Sequence, residues 1–238
     1  MVDIKTVKPF KELDQFFDLE ENGWLGSDVA HSIRLNEKKV LWLFGDTFIG
    51  RREKKCRGKN WVFLNNTIGI MDLKDRIPYD MKFFWGVNNS KPESFFLTQK
   101  KIPGDFLWPT NGIIIGESLI IFSMAVNKTT DQSIDIAGSV CMKIENYIDD
   151  PENWDIDAWD FQFNAGIPHA ALYKDDKYLY TLLTNRNFFK DGSFLGRLNK
   201  RFFENNGGAN EMEFFNGNSW VVNFSDAQEC FYPSCTES

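Results

Sequence analysis

Short runs in which apolar residues alternate with polar ones dominate the chain and predict β-strands. Two such runs, 29–35 and 40–44, flank the polar turn 36–39, which is the pattern of a β-hairpin. If the turn is centred near residue 37, opposed residues have numbers that sum to about 74, so Asp28 faces Asp46. Directly opposed Cβ atoms lie about 5 Å apart, and like charges there are destabilising. Such a pair suggests a functional use; the alternative is that Asp46-Thr47 simply ends a strand as a turn.

The same hairpin pattern returns twice. Runs 108–115 and 118–124 flank the turn 116–117, and runs 168–173 and 178–184 flank the turn 175–176. Each hairpin is followed by further strand-like runs, and a repeated four-stranded unit is typical of a β-propeller. The predicted organisation is a lead-in segment over residues 1–21 and a propeller domain over 22–238. Its modules span about 22–75, 105–146 and 165–224, with the start of a fourth at 228–238.

Composition narrows the class of partner. The chain has 238 residues, 42% hydrophobic, and a net charge of −7, which argues against nucleic acid because its binders need a basic face. The sequence contains no run of about 20 apolar residues, which is the length that a membrane-spanning helix needs. The first residues lack the apolar core of a signal peptide. The expected location is therefore secreted or periplasmic if a leader was removed, and cytoplasmic otherwise. The oligomeric state stays open.

Metal and cofactor motifs are weak. The four cysteines lack the paired spacing of zinc sites. The acidic clusters 149–150 and 155–157 are candidates for structural calcium, but they lack an EF-hand spacing and are typical of solvated loops. No cofactor is predicted.

One motif resembles a known family. The run Leu43-Phe44-Gly45-Asp46-Thr47, preceded by a Gly26-x-Asp28 strand, resembles a signature of bacterial and fungal domains of unknown function that are expected to be five-bladed β-propellers. Those domains are similar in architecture to furanosidase-type glycoside hydrolases, such as arabinanases, β-xylosidases, invertases and levansucrases. The likeness extends through 65–70, 108–112 and 196–220. It implies an all-β, five-bladed β-propeller-like fold. Because five blades need roughly 300 residues, it implies a chain truncated after about three blades.

The resemblance also implies a site. In furanosidase propellers a carboxylate that opens the innermost strand of the first blade is the base or nucleophile, and Asp28 matches it by position. Glu237 is the candidate acid from a later blade, and Asp46 is the alternative second carboxylate. Asn111 stands where those enzymes have an Asp that tunes the acid. A pair about 5 Å apart favours retention of configuration, whereas an acid across the propeller axis suits inversion. The predicted substrate contacts are Trp24, Thr47, Trp108, Asn111, His169, Asn185 and Arg186.

The predicted function is therefore a glycoside hydrolase of furanosidase-like propeller type, using paired carboxylates on a polysaccharide or oligosaccharide. A non-catalytic carbohydrate-binding module is the first alternative, favoured by Asn111 in place of an Asp. A structural interaction platform is the second. A perturbed carboxyl pKa would separate the enzyme from the others.

Overall fold

The computed structural model describes residues 11–17, 23–53, 56–130, 133–161, 167–184, 192–204 and 212–231. This part of the chain is all-β: it consists of antiparallel sheets with a few short helical turns. The chain folds as two compact units, residues 1–95 and 96–238. None of the helices in the described ranges is both long and apolar enough to cross a membrane.

The first unit is built from short strands around one four-stranded sheet. Its described elements are α1 (Lys11–Asp14), β1 (Trp24–Ser27), β2 (Ala30–Arg34), β3 (Lys39–Phe44), β4 (Thr47–Ile49), β5 (Arg52–Glu53), β6 (Cys56–Arg57), β7 (Val62–Leu64), β8 (Thr67–Lys74), β9 (Ile77–Phe84), β10 (Gly86–Asn88) and β11 (Lys91–Glu93). The order β2-β3-β8-β9 is an antiparallel meander, and β1-β4-β7 is a separate three-stranded sheet. Two further pairs are β5-β6 and β10-β11.

The predicted register of the first hairpin is confirmed. Ala30 pairs with Phe44 and Arg34 with Val40, so opposed residue numbers sum to 74 along the ladder. The turn closes with hydrogen bonds from the amides of residues 35 and 36 to the carbonyl of Lys39. The fourth strand of the sheet is β9, beyond the predicted module end at residue 75, because β7 pairs with β4 instead of joining this sheet.

Aromatic packing forms the core of the first unit. Trp24, Phe44 and Met81 are buried there, and Phe16, which follows the short helix α1, joins them. Phe17 packs edge-on against Trp42 at 5.3 Å. The lead-in segment is thus anchored to the first sheet by its aromatic side chains, because burial of apolar area favours their enclosure.

The second unit contains two larger meanders. Its described strands are β12 (Phe106–Ile115), β13 (Ser118–Asn127), β14 (Asp135–Ile144), β15 (Ile156–Asp160), β16 (Ile167–Lys174), β17 (Tyr178–Thr184), β18 (Ser193–Asn199), β19 (Glu213–Phe215), β20 (Trp220–Val221) and β21 (Glu229–Phe231). In the described part of this unit, three short 3₁₀ helices lie among the strands, at Pro151–Asn153, Lys200–Glu204 and Phe224–Asp226. One sheet has the order β12-β13-β14-β15, and the other has the order β16-β17-β18-β19-β20.

Two segments differ from the prediction. Residues 155–157, considered above as a loop that could hold calcium, lie at the start of β15, which completes the second meander beyond residue 146. The stretch expected to open a fourth module includes β21, which pairs with β18 of the third meander. Both segments are short, so their pairing is set by neighbouring strands more than by their own apolar pattern.

The core of the second unit lies between its two sheets. Phe122 and Cys141 come from one sheet, and Leu183, Leu198 and Phe214 come from the other. Along β17 the buried residues alternate with half-buried ones, which is the period of a strand with one face on the core.

Candidate functional site

Asp28 and Asp46 face each other in the first unit, between two ladders of the same hairpin. On one side, β2 pairs with β3 in the register that sums to 74; on the other, Ser27 pairs with Thr47 in the same register. Between them the amide of Asp28 donates to the carbonyl of Asp46 at 3.0 Å. The predicted opposition of the two residues is therefore present in the backbone. In a regular antiparallel pair, opposed Cβ atoms lie about 5 Å apart.

The backbone beside Asp28 is strained. Val29 has a φ of +51°, in the left-handed region that β-branched residues rarely adopt. Its side chain is 49% exposed, so core packing does not account for the conformation. Such strain costs about 1–3 kcal/mol and is concentrated at functional sites. The turn at Val29 interrupts the ladder where the two aspartates stand.

Gly45 leaves room for the Asp28 carboxylate. An ideal Cβ at residue 45 would lie only 2.5 Å from Oδ1 of Asp28, closer than any real contact of this kind. The amide of Gly45 also donates to the carbonyl of Asp28 at 3.2 Å. The absence of a side chain at Gly45 thus leaves the space that the acidic side chain from the facing strand occupies.

The pKa of Asp28 is raised above its ordinary value. Partial burial is the main cause, because it removes water from the charged form, and a hydrogen bond from the backbone of Asp46 opposes it in part. Asp28 as a residue remains exposed. Asp46 is half-buried. A carboxylate that is accessible and yet has a raised pKa is a better base than an ordinary surface aspartate.

Beneath the two aspartates lies a buried chain of hydrogen bonds. The Thr47 hydroxyl donates to the carbonyl of Gly45 at 2.7 Å and lies 3.0 Å from the Thr67 hydroxyl. The indole Nε1 of Trp24 donates to the Thr67 hydroxyl at 3.3 Å. These bonds fix the backbone of the Leu43–Thr47 motif. They are expected to persist, because leaving a buried hydroxyl without a hydrogen-bond partner destabilises the fold.

Trp24 and Thr47, both expected to contact a substrate, are core residues. Trp24 is only 5% exposed and stacks on Phe83 with a centroid separation of 4.5 Å, while Thr47 is fully buried. Sugar stacking needs an accessible ring face, so the expectation for Trp24 is corrected: the two residues support the aspartates from inside the sheet. The sequence alone does not show which face of β1 is turned inward.

Trp108 and Asn111, predicted to bind the substrate, lie on β12 in the second unit. Pro109 pairs with Ser123 and Asn111 with Phe122, so Thr110 is an extra residue that forms a β-bulge. The bulge places Trp108 and Asn111 on one face, where regular alternation would have separated them. Both are half-buried, and Asn111 Oδ1 accepts from the amide of Gly112 at 2.8 Å.

The remaining predicted residues are less defined. His169 lies on β16, but only its backbone is described. Asn185, Arg186 and Glu237 fall outside the described residues. Within the described ranges, no three His, Cys, Asp or Glu side chains are grouped as metal ligands. Asp150 serves as the N-cap of the 3₁₀ helix at Pro151–Asn153, where its side chain accepts from the amide of Glu152.

A polar hollow of about 710 Å³ lies in the second unit, whereas the aspartate pair belongs to the first. It is lined by Lys143, Glu145, Asn146, Asp155, Ile156, Asp157 and Glu204. Lys143 and Glu145 form an ion pair at 2.7 Å, and none of the described lining residues is aromatic. The site described above therefore rests on the chemistry of the first unit and not on the size of this hollow.

The family of the chain follows from a match over residues 11–237, which include both aspartates and the supporting threonines. The chain belongs to the family described as "Domain of unknown function (DUF5005)". No curated protein matches it.

The DUF5005 fold has a solved structural relative. A crystal structure described as "a putative hydrolase from Bacteroides ovatus" is similar to this chain with a TM-score of 0.68 at 15% sequence identity. The similarity covers 94% of this chain and 58% of that chain, so the present chain spans little more than half the length of its relative. At this identity the likeness shows a shared fold, and chemistry must be argued from the residues of the DUF5005 chain itself.

Proposed function

We propose that this chain is a glycoside hydrolase in which Asp28 and Asp46 are the two catalytic carboxylates. The observation that carries the proposal is the opposition of these two residues in a strained hairpin. The Asp28 side chain occupies the space that a side chain at Gly45 would fill. Like charges placed opposite each other destabilise a strand pair, and Val29 adds strain at the same point. Both effects destabilise the fold, and destabilising features of this kind are concentrated at functional sites.

The proposed chemistry divides the two roles. Asp28, in the base or nucleophile position that the family resemblance implies, attacks the anomeric carbon and forms a glycosyl ester, while Asp46 gives its proton to the leaving oxygen. Asp46, now ionised, then takes a proton from water, and that water cleaves the ester and restores both groups. A retaining course requires the two carboxyl groups to lie about 5 Å apart. The raised pKa of Asp28 makes its ionised carboxylate a stronger base, although among glycosidases a raised pKa is typical of the acid.

The proposed architecture is a five-bladed β-propeller, with each four-stranded meander as one blade. Three meanders follow one another along the chain, β2-β3-β8-β9, β12-β13-β14-β15 and the sheet that begins β16-β17-β18-β19. Sequential strands that pair in order are the pattern of propeller blades. The shared fold with a protein described as a "putative hydrolase" supports a hydrolase at the level of fold.

A carbohydrate-binding module without catalysis is the second candidate. The observation in its favour is Asn111, an amide where furanosidase propellers have an Asp, with its Oδ1 already engaged by Gly112. An amide cannot tune the pKa of a neighbouring acid by charge. In this case Asp28 and Asp46 would accept hydrogen bonds from sugar hydroxyls and transfer no proton.

Reducing-sugar release, measured with the 238-residue chain, separates the two candidates. The substrates are arabinan, xylan, fructan and bacterial cell-wall polysaccharide, and calorimetry with the same polymers records binding. We expect release from at least one of them. Binding without release would establish the carbohydrate-binding module, and the absence of both would refute both candidates.

A further inference from the structure

Three aromatic side chains are clustered at the surface of the first unit, on the sheet β1-β4-β7. Phe48 on β4 pairs directly with Phe63 on β7, and their rings are 5.4 Å apart. Trp61 packs edge-on against Phe48 at 5.0 Å. Trp61 is 46% exposed and Phe63 is 44% exposed. Clustered exposed aromatic rings are uncommon on a sheet that serves only the core, and they mark binding surfaces.

The aromatic cluster is near the two aspartates along both strands: Phe48 is two residues from Asp46, and its ladder partner Gly26 is two residues from Asp28. Asp46 stands just before β4, on which Phe48 is half-buried while Thr47 and Ile49 are buried on the other face. Phe48 is about 7 Å further along the strand than Asp46, because each residue advances the chain by about 3.4 Å. This spacing is roughly the length of one monosaccharide.

Gly26 leaves the space above this face open. It pairs with Phe48, and an ideal Cβ built on it would meet no atom within 4 Å. Its φ of +143° is a conformation that other residues rarely adopt, so the position is suited to glycine. The surface over Gly26 is therefore open, with Phe48 beside it and the two aspartates two residues away along the paired strands.

We infer that Phe48, Trp61 and Phe63 form a sugar-stacking subsite adjoining the aspartate pair, and that the ligand is an oligosaccharide of at least two units. The inference rests on the proposed function, because it places one unit at the carboxylates. The electron-rich faces of aromatic rings attract the polarised C–H groups of a sugar ring, while its hydroxyls stay in water. A single sugar could bind at the aspartates, but only a longer chain could contact both the aspartates and the aromatic rings.

The test measures binding, so that it does not depend on turnover. Calorimetry is run on the Asp28→Asn protein, which cannot cleave its ligand by the proposed chemistry. The probes are arabinose and arabinotriose, xylose and xylotriose, and fructose and the trisaccharide kestose. We expect at least one trisaccharide to bind about tenfold or more tightly than its monosaccharide. Trp61→Ala and Phe63→Ala should remove most of that difference and leave monosaccharide binding unchanged.

Tyr79→Ala is the matched control, since Tyr79 is an exposed aromatic residue on β9 of the same unit, at 59% exposure. This substitution should leave the difference intact. The inference is overturned if no trisaccharide gains affinity, if Trp61→Ala keeps the whole gain, or if Tyr79→Ala loses it equally. A gain that depends on Trp61 in a chain that releases no sugar would support the subsite and refute the proposed hydrolase.

Discussion

Replacing Gly45 with alanine should displace the Asp28 carboxylate while leaving the fold in place. The added Cβ would lie 2.5 Å from Asp28 Oδ1, whereas ordinary contacts begin near 3.4 Å, so the oxygen must move by about 0.9 Å. The next nearest atoms of Asp28, Cγ and the backbone carbonyl oxygen, are both at 3.6 Å and tolerate the methyl group. The substitution therefore moves the end of one exposed side chain and little else.

The magnitudes favour a functional effect over a structural one. Forcing a side chain from its preferred rotamer costs about 0.5–1.5 kcal/mol, and exchanging glycine for alanine returns about 0.4–1 kcal/mol through the unfolded chain. The free energy of unfolding should thus change by less than about 1 kcal/mol. In contrast, a displacement of about 1 Å in a catalytic group can lower kcat/KM about a hundredfold.

Two assays measure the displacement. Carboxyl titration by NMR should show the pKa of Asp28 fall toward its ordinary value, because the displaced group regains water. Sugar release from a responsive polysaccharide should fall about a hundredfold. Gly138→Ala is the control, since a Cβ there meets only Pro103 at 3.2 Å and Asp160 at 3.7 Å. An unchanged Asp28 pKa in a folded Gly45→Ala protein would refute the reasoning.

Three further predictions concern stability, measured by urea unfolding. Because burial raises the pKa of Asp28, its ionisation destabilises the fold above the raised pKa, and this cost disappears below about pH 4. Asp28→Asn should therefore be more stable than the unmodified chain at neutral pH, by less than about 1 kcal/mol, and equal to it in acid; the reverse pH trend would contradict this. Burial lowers the pKa of His31, so stability present above about pH 6.5 is lost as the pH falls through the lowered pKa. His31→Gln should flatten that decline, and an unchanged slope would count against it. Thr47→Val should cost about 1–3 kcal/mol because it removes the hydroxyl that bonds the Gly45 carbonyl and the Thr67 hydroxyl, while Thr47→Ser should cost less.

The hairpin and its aspartates could be predicted because they depend on local pattern. Alternation of period two defines the strands, and the polar turn 36–39 fixes the register, so Asp28 and Asp46 could be paired by counting. The left-handed conformation of Val29 could not be predicted, because nothing in a valine favours it and only the surrounding ladders impose it.

The burial of individual side chains and the position of β-bulges depend on tertiary contacts and cannot be predicted from the local pattern. The sequence places the aromatic residue Trp24 close to the motif but does not distinguish a solvent-facing ring from a buried one. The contacts with Phe44 and Phe83 show that the ring is buried. The bulge at Thr110 moves Asn111 to the same face as Trp108, which simple alternation forbids. The strand β9 has an alternating pattern of its own, so the sequence itself indicates a strand beyond the predicted end of the first module.

The most direct test of the account compares sugar release by the unmodified chain with release by Asp28→Asn, Asp46→Asn and Asp80→Asn, on the same polysaccharide. Asp80 is the matched control because it opposes Asp72 across β8 and β9, which makes a second carboxylate pair in the same unit. The account predicts that the first two substitutions each lower kcat/KM by about a hundredfold or more and that Asp80→Asn does not. Release that persists within about threefold in Asp28→Asn or Asp46→Asn would contradict the assignment of this pair as the working carboxylates.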